Sequence, residues 1–414
     1  MRAKVWFGAL LCSVTAACAA QESSAKVVPA PEQIALAVRI DALAAKLARS
    51  PVAATGNLCF SPSAVAATLA MLQPGMKDPV RARIDGALLA EGEDLAGALA
   101  SLRALSAIIG ARKAIELRQR QLAWFDAAVQ FDPQWLAALA KLEVPCEPFL
   151  HDDRLDALPE RMRAAVAAAV GDAAAAALQM QGLRPDTRLV LVDALHLRAR
   201  WREDFVGANG SGVGEFAVSP QQRIKVTYLK RDAQLPYGKV GDDQVVRLDL
   251  FAAGLVVDFA LPPADGDAEA LPAALQNLLE GDWGAATPRL RRRQVELKVP
   301  SFEIARTLSL EELTIGCGCG KPELRVALAG DERFGIVGDL TTRFSIGKFG
   351  IGATSVSEMY AGAPGTAEPR VVYLTFDRPF AFAVRDTASG LVLVCGIVRE
   401  PPAMRSEEPE ERDR

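Results

Sequence analysis

Two hydrophobic rhythms divide the chain. Apolar residues recur at helical spacing from about Glu32 to Ala48, where Ser50-Pro51 closes the pattern. Ser61-Pro62-Ser63 then reads as a cap opening a second helix through Leu72, and the spacing predicts further helix to about Leu183. Beyond that point the pattern changes. Arg188–Arg198 (RLVLVDALHLR), Arg223–Leu229, Val245–Leu261, Gln294–Ile304, Val371–Phe376, Ala381–Arg385 and Leu391–Val398 are short β-type runs. Helices first and strands later predict an α+β protein with antiparallel sheet. No internal repeat is visible, and no interior linker is long or polar enough to divide the core.

The two ends differ from this body. Arg2 and Lys4 precede an apolar run, Val5–Val14, that is too short to span a bilayer, and small residues follow. This is the grammar of a secretory signal peptide covering residues 1–19. Two fates stay open: cleavage after Ala17 or Ala19, or lipidation of Cys18 as in a lipoprotein, since TAAC loosely matches a lipoprotein box with Thr15 in place of the usual Leu. Residues 20–31 read as a linker, 32–402 as the folded domain, and 403–414 as a charged, Pro-containing disordered tail. The Ala-rich stretch Ala164–Ala177 is broken by Gly171 and Asp172 and reads as a helix rather than a membrane span.

Composition narrows the chemistry. With 47 Lys+Arg against 51 Asp+Glu, the net charge of -4 argues against nucleic acid as the main partner. Of the seven cysteines only Cys317-Gly-Cys319 form a cluster; without a second pair at ligand spacing they read as structural, so no metal or cofactor is expected. The only histidines are His151 and His196, the latter on a strand face and read as structural. The adjacent acids Asp152-Asp153 and Asp242-Asp243 read as solvated turns. There is no GxSxG elbow, HExxH helix or phosphate loop, and no acid, base and nucleophile converge, so no enzymatic activity is expected. Arg289 and Arg291–Arg293 form a basic cluster that would suit a polyanion, although a solvated strand entry is the plainer reading.

Four segments, taken in order, resemble the serpins. Asn57–Leu72 (NLCFSPSAVAATLAML) is similar to the family's strand that passes through Ser-Pro into a helix buried under the main sheet. Leu189–Phe205 (LVLVDALHLRARWREDF) resembles the central strand of that sheet, with Trp201 and Phe205 at its top. Val295–Ile304 (VELKVPSFEI) resembles the strand before a helix, here Leu308–Leu313. The most specific match is Phe376–Asp386 (FDRPFAFAVRD) with Gly390–Pro401 (GLVLVCGIVREP), similar to the family's C-terminal hairpin.

The resemblance implies a serpin fold: three mainly antiparallel sheets, eight or nine helices and an exposed reactive loop. It also implies inhibition of a serine protease by loop cleavage and insertion of the freed segment as a central strand. On the family pattern the strand Phe344–Ser357 leads into a hinge of Glu358, Met359, Tyr360, Ala361, Gly362 and Ala363. Arg370, followed by Val371, is the expected scissile residue for a trypsin-like protease, with Glu368 the alternative by counting back from Pro379. Counted from Glu358, residues 359–370 would insert over about 40 Å, some four residues short of the family's strand. Tyr360 replaces the expected Gly, and Pro364 is ill suited to a central strand. A non-inhibitory binding or structural role is therefore the alternative. The sheet-opening region maps to Ser61, Ala64, Asp193, Trp201 and Gly350, where the family's Ser, Asn and His fall at Ala64, Asp193 and Gly350. A monomer is expected, with any membrane contact made only through a lipid on Cys18.

Overall fold

The computed structural model describes residues 28–129, 131, 133–149, 157–178, 187, 189–205, 210–266, 269–280, 283–284, 287–321, 339–351 and 371–402. Helix α1 (Pro31–Ala48) packs its buried face against α2 (Pro62–Leu72). The Ser61 hydroxyl accepts the Ala64 amide at 3.3 Å and caps α2, as its sequence foretells. All eleven residues of α2 are buried, because PSAVAATLAML is apolar on every side and has no face to give to water. Two further helices, α3 (Asp78–Leu88) and α4 (Leu95–Gly110), complete the N-terminal layer.

The helical expectation fails between α4 and Leu183. Ile115–Asp126 is a twelve-residue strand, β2, and Cys146–Phe149 is a short strand, β3; among the described residues, α5 (Pro133–Lys141), α6 (Leu158–Ala169) and α7 (Asp172–Ala177) are the helices between and after them. The reason lies in period 2: along Glu116–Arg120 exposed residues alternate with half-buried ones, an arrangement that only a sheet face accommodates.

Strand β4 (Leu189–Arg200) pairs antiparallel with β2 over its length, from Ile115↔Ala199 to Phe125↔Leu189. These two strands centre a six-stranded sheet in the order β10-β11-β12-β4-β2-β3, with β10 at Phe302–Ser309, β11 at Asp339–Gly347 and β12 at Gly350–Ile351. One face of it covers the main core; on the other, Leu122, Trp124, Val190, Val192 and Ala194 pack beneath Leu158, Met162 and Val166 of α6. The remaining strands run β5 (Ser211–Ser219), β6 (Gln222–Val240), β7 (Asp243–Asp249), β8 (Leu255–Leu261), β9 (Arg291–Pro300), β13 (Val372–Thr375), β14 (Phe380–Asp386) and β15 (Val392–Val398), with β1 (Leu58–Phe60) on the far edge. Hydrogen bonds trace them as one nine-stranded sheet, because the nineteen-residue β6 serves two partners. Its first half pairs β5, its middle β9, and its last four residues β7. The two smaller sheets implied by the resemblance are thus joined through one long strand.

Strands β14 and β15 are buried at every position, which is why the hairpin reads as two near-continuous apolar runs. Buried Arg385 of β14 reaches the carboxylate of Asp41 in α1 at 3.1 Å and fixes this hairpin to the first helix. Helix α8 (Ala270–Leu279) covers the same strands. The helix expected at Leu308–Leu313 is instead α9 at Leu310–Gly316, opened by a reciprocal Ser309–Glu312 capping box. The strand expected to run unbroken through Phe344–Ser357 is also corrected. Strand β11 ends at Gly347, the chain turns at Lys348-Phe349, and β12 returns antiparallel to β11 with Ile346↔Ile351. Two glycines flank the turn, and Gly350 has φ +155.

Candidate functional site

The candidate site is the head of the six-stranded sheet and the polar chain beneath it. Strand β12 lies between β11 and β4, pairing Gly350 with Arg200 and Ile351 with Ala199, also antiparallel. Among the described residues, the side of β4 facing away from β2 has no other ladder partner. A two-residue strand thus occupies the top of a lane bordered by two much longer ones.

Trp201 and Phe205 hold this hairpin. The Trp201 amide donates to the Phe349 carbonyl at 3.1 Å, its indole Nε1 to the Gly347 carbonyl at 2.8 Å, and the Phe205 amide to the Lys348 carbonyl at 2.8 Å. The two rings meet edge to face with centroids 5.7 Å apart, and the Arg231 guanidinium stacks 4.0 Å over Phe205. Burial lowers the Arg231 pKa from its ordinary value. Gly350 fits because it has no side chain: a Cβ there would stand 2.1 Å from the Ala199 carbonyl oxygen.

Beneath the sheet, Asp193 of β4 faces α2 and α4. Its carboxylate accepts Gln119 Nε2 at 3.0 and 3.2 Å and Gln121 Nε2 at 2.6 Å. The Gln119 carbonyl oxygen in turn accepts the Ser63 hydroxyl at 3.2 Å, and Ser63 lies 3.0 Å from Ser61. Arg103 of α4 donates to the Gln121 carbonyl oxygen at 3.2 and 3.3 Å, to the Leu142 carbonyl at 2.5 Å and to Glu143 at 3.2 Å. The nearest full positive charge therefore reaches Asp193 only through an amide. Burial pushes the Asp193 carboxyl up to about 7, opposed by the Gln121 and Gln119 hydrogen bonds and by Arg103.

Of the residues expected to form the sheet-opening region, Trp201 and Gly350 meet at the head of the sheet. Ser61 begins the polar chain, Asp193 sits in its middle between Gln119 and Gln121, and Ala64 is buried in α2 behind Ser61. Gln119, Gln121, Arg103 and Ser63 went unassigned from sequence; the R-Q-R-Q alternation at Arg118–Gln121 was their available signal. Glu358, Met359, Tyr360, Ala361, Gly362, Ala363, Glu368 and Arg370 lie outside the described residues. Val371 precedes β13 and is 38 % exposed. His196 lies on the outer sheet face, 3.2 Å from Glu116. Cys317 and Cys319 are free thiols buried at the end of α9, and burial raises both pKa values.

A helix buried under a six-stranded sheet, with a two-residue strand at the head of a lane between two longer ones, defines the α+β class of the protein. The profile of the family described as Serpin (serine protease inhibitor) matches residues 39–321, and the chain belongs to that family. Leukocyte elastase inhibitor A of Mus musculus is 23% identical over 370 residues, covering 84% of this chain and 94% of that protein. Among solved structures, Serpin48 of the insect Tenebrio molitor aligns with a TM-score of 0.72 at 16% identity, over 90% of this chain and 99% of the other. Human thyroxine-binding globulin, solved as a complex with its named ligand, aligns at 0.71 and 19% identity, over 89% and 99%. Neighbours this distant establish the α+β serpin fold.

Proposed function

We propose that this serpin inhibits a serine-type endopeptidase by offering the loop after β12 as bait and taking the cleaved segment into its central sheet. The observation that carries the reading is β12 itself, since it already lies antiparallel between β11 and β4, the orientation an inserted strand would need. Continued in the same register, Ala353 would meet Leu197, Ser355 would meet Leu195 and Ser357 would meet Asp193, placing small residues on the core side. Completing the sheet satisfies backbone groups and buries apolar surface, which supplies the driving force.

Counted from β12 instead of Glu358, the arm to Arg370 comprises the nineteen residues 352–370, about 65 Å when extended. That length favours trapping over release. Arg370 is the proposed scissile residue and a trypsin-like enzyme the proposed target, with Glu368 as the alternative site. Incubation with trypsin tests this: an SDS-stable complex, with the released fragment starting at Val371, is expected. Simple proteolysis with no complex and no rise in melting temperature refutes it.

A second reading, a carrier or structural serpin that never inserts its loop, is favoured by Tyr360 and Pro364 and by the likeness to a thyroxine-binding relative. A melting temperature unchanged by loop cleavage would select it. Export to the cell envelope, with or without a lipid on Cys18, is likewise our proposal, and mass spectrometry of the mature N-terminus tests it.

A further inference from the structure

The arginine cluster at the start of β9 has a structural counterpart away from the loop and its lane. A cleft of about 440 Å3 opens where the end of β6, the β7–β8 turn and the segment leading into β9 converge. Its floor is apolar, made by Leu250, Leu255 and Val256, all nearly inaccessible to solvent. Leu290 and Pro236 form one wall. Three guanidiniums line it, those of Arg202, Arg247 and Arg292, together with the Asp249 carboxylate.

The charges do not cancel. Arg247 lies deepest and is fully used: it holds Asp258 in a bidentate pair at 2.6 and 2.9 Å and donates to the Trp283 and Gly284 carbonyls. Asp249 partners Arg202 at 3.4 Å, while the Arg202 side chain stays 64% exposed. Arg292 is exposed and donates through one nitrogen to the Gln234 carbonyl at 3.0 Å, with no carboxylate partner among the described residues. Alternation along β9 separates it from its neighbours, because Arg291 and Arg293 point to the opposite face. One guanidinium's charge is thus left over above an apolar floor.

We propose that this cleft binds a small organic anion, with its carboxylate, sulfonate or phosphate head between Arg202 and Arg292 and a short apolar body on Leu250, Leu255 and Val256. The volume falls within the range of small-molecule sites, and a planar guanidinium suits an oxyanion head. The site is separate from the proposed loop insertion, so it stands or falls independently of protease inhibition.

The test uses the full chain with 1-anilinonaphthalene-8-sulfonate as the probe, followed by its fluorescence. Saturable one-to-one binding is expected, weakened about tenfold or more by Arg292→Gln and by Arg202→Gln. Octanoate is expected to displace the probe at lower concentration than inorganic phosphate. Ala253→Trp, which fills the mouth of the cleft from an exposed turn, is expected to abolish binding, and circular dichroism verifies that each variant is folded. Absence of saturable binding overturns the proposal, as does an affinity that none of the three folded variants changes. Displacement by phosphate as readily as by octanoate overturns the apolar half of the site.

Discussion

Replacing Asp193 by Asn probes the polar chain beneath the six-stranded sheet. The carboxyl titrates near 7 in the folded chain against an ordinary value of 3.8. A raised acid pKa means the native state holds its proton more tightly than the unfolded chain does. Stability is therefore greatest below about pH 4, falls as pH rises toward 7, and stays low above it. A difference of about 3 pH units corresponds to roughly 4 kcal/mol, and because Asp193 is only half-buried, about 2 kcal/mol is the sounder figure. The Asn amide keeps an acceptor for Gln121 and, after the Gln119 amide flips, a donor for its carbonyl oxygen. The variant should thus lose the ionisation cost while keeping the hydrogen bonds. Urea unfolding at pH 5 and pH 8 is the assay: that interval covers about two thirds of the titration, so the wild type should lose about 1–1.5 kcal/mol more than D193N between the two. Equal pH dependence in both proteins would refute the reasoning and place the titration elsewhere.

Other expectations follow from single contacts. Gly350→Ala should displace the hairpin from β4, because its Cβ would lie 2.1 Å from the Ala199 oxygen; the Ile351 amide should then exchange with solvent about tenfold or more faster. Trp201→Phe removes the indole bond to the Gly347 carbonyl but keeps most of the ring packing, and should lower stability by about 1–2 kcal/mol in urea unfolding. Asp41→Ala leaves the buried Arg385 guanidinium without its carboxylate and should cost about 3–5 kcal/mol; an unchanged urea midpoint would show that the Leu278 and Gly390 carbonyls suffice.

The elements legible in sequence are those whose burial is written into the residues themselves. Helix α2 is apolar on all sides behind a Ser cap, and β14 and β15 are apolar at nearly every position; each could be read without knowing its neighbours. Strand β2 was harder. Its polar alternation over Glu116–Gln121 spans few residues and adjoins helices on both sides, so helical spacing extended across it. The hairpin at Gly347–Gly350 carries its own turn signal in two glycines, yet the family pattern drew attention to Glu358 further on.

The sequence by itself determined the class of fold, the buried helix, the C-terminal hairpin and the Trp201–Phe205 pair at the top of the central strand. Tertiary structure alone decided that β12 enters the lane, that Gln119 and Gln121 converge on Asp193 across more than seventy residues, and that Arg292 joins Arg202 over an apolar floor. The physical reason is the range of the interactions. Burial, capping and turn preference act over a few neighbouring residues, whereas strand register and the partners of a polar side chain are fixed only when distant segments pack together.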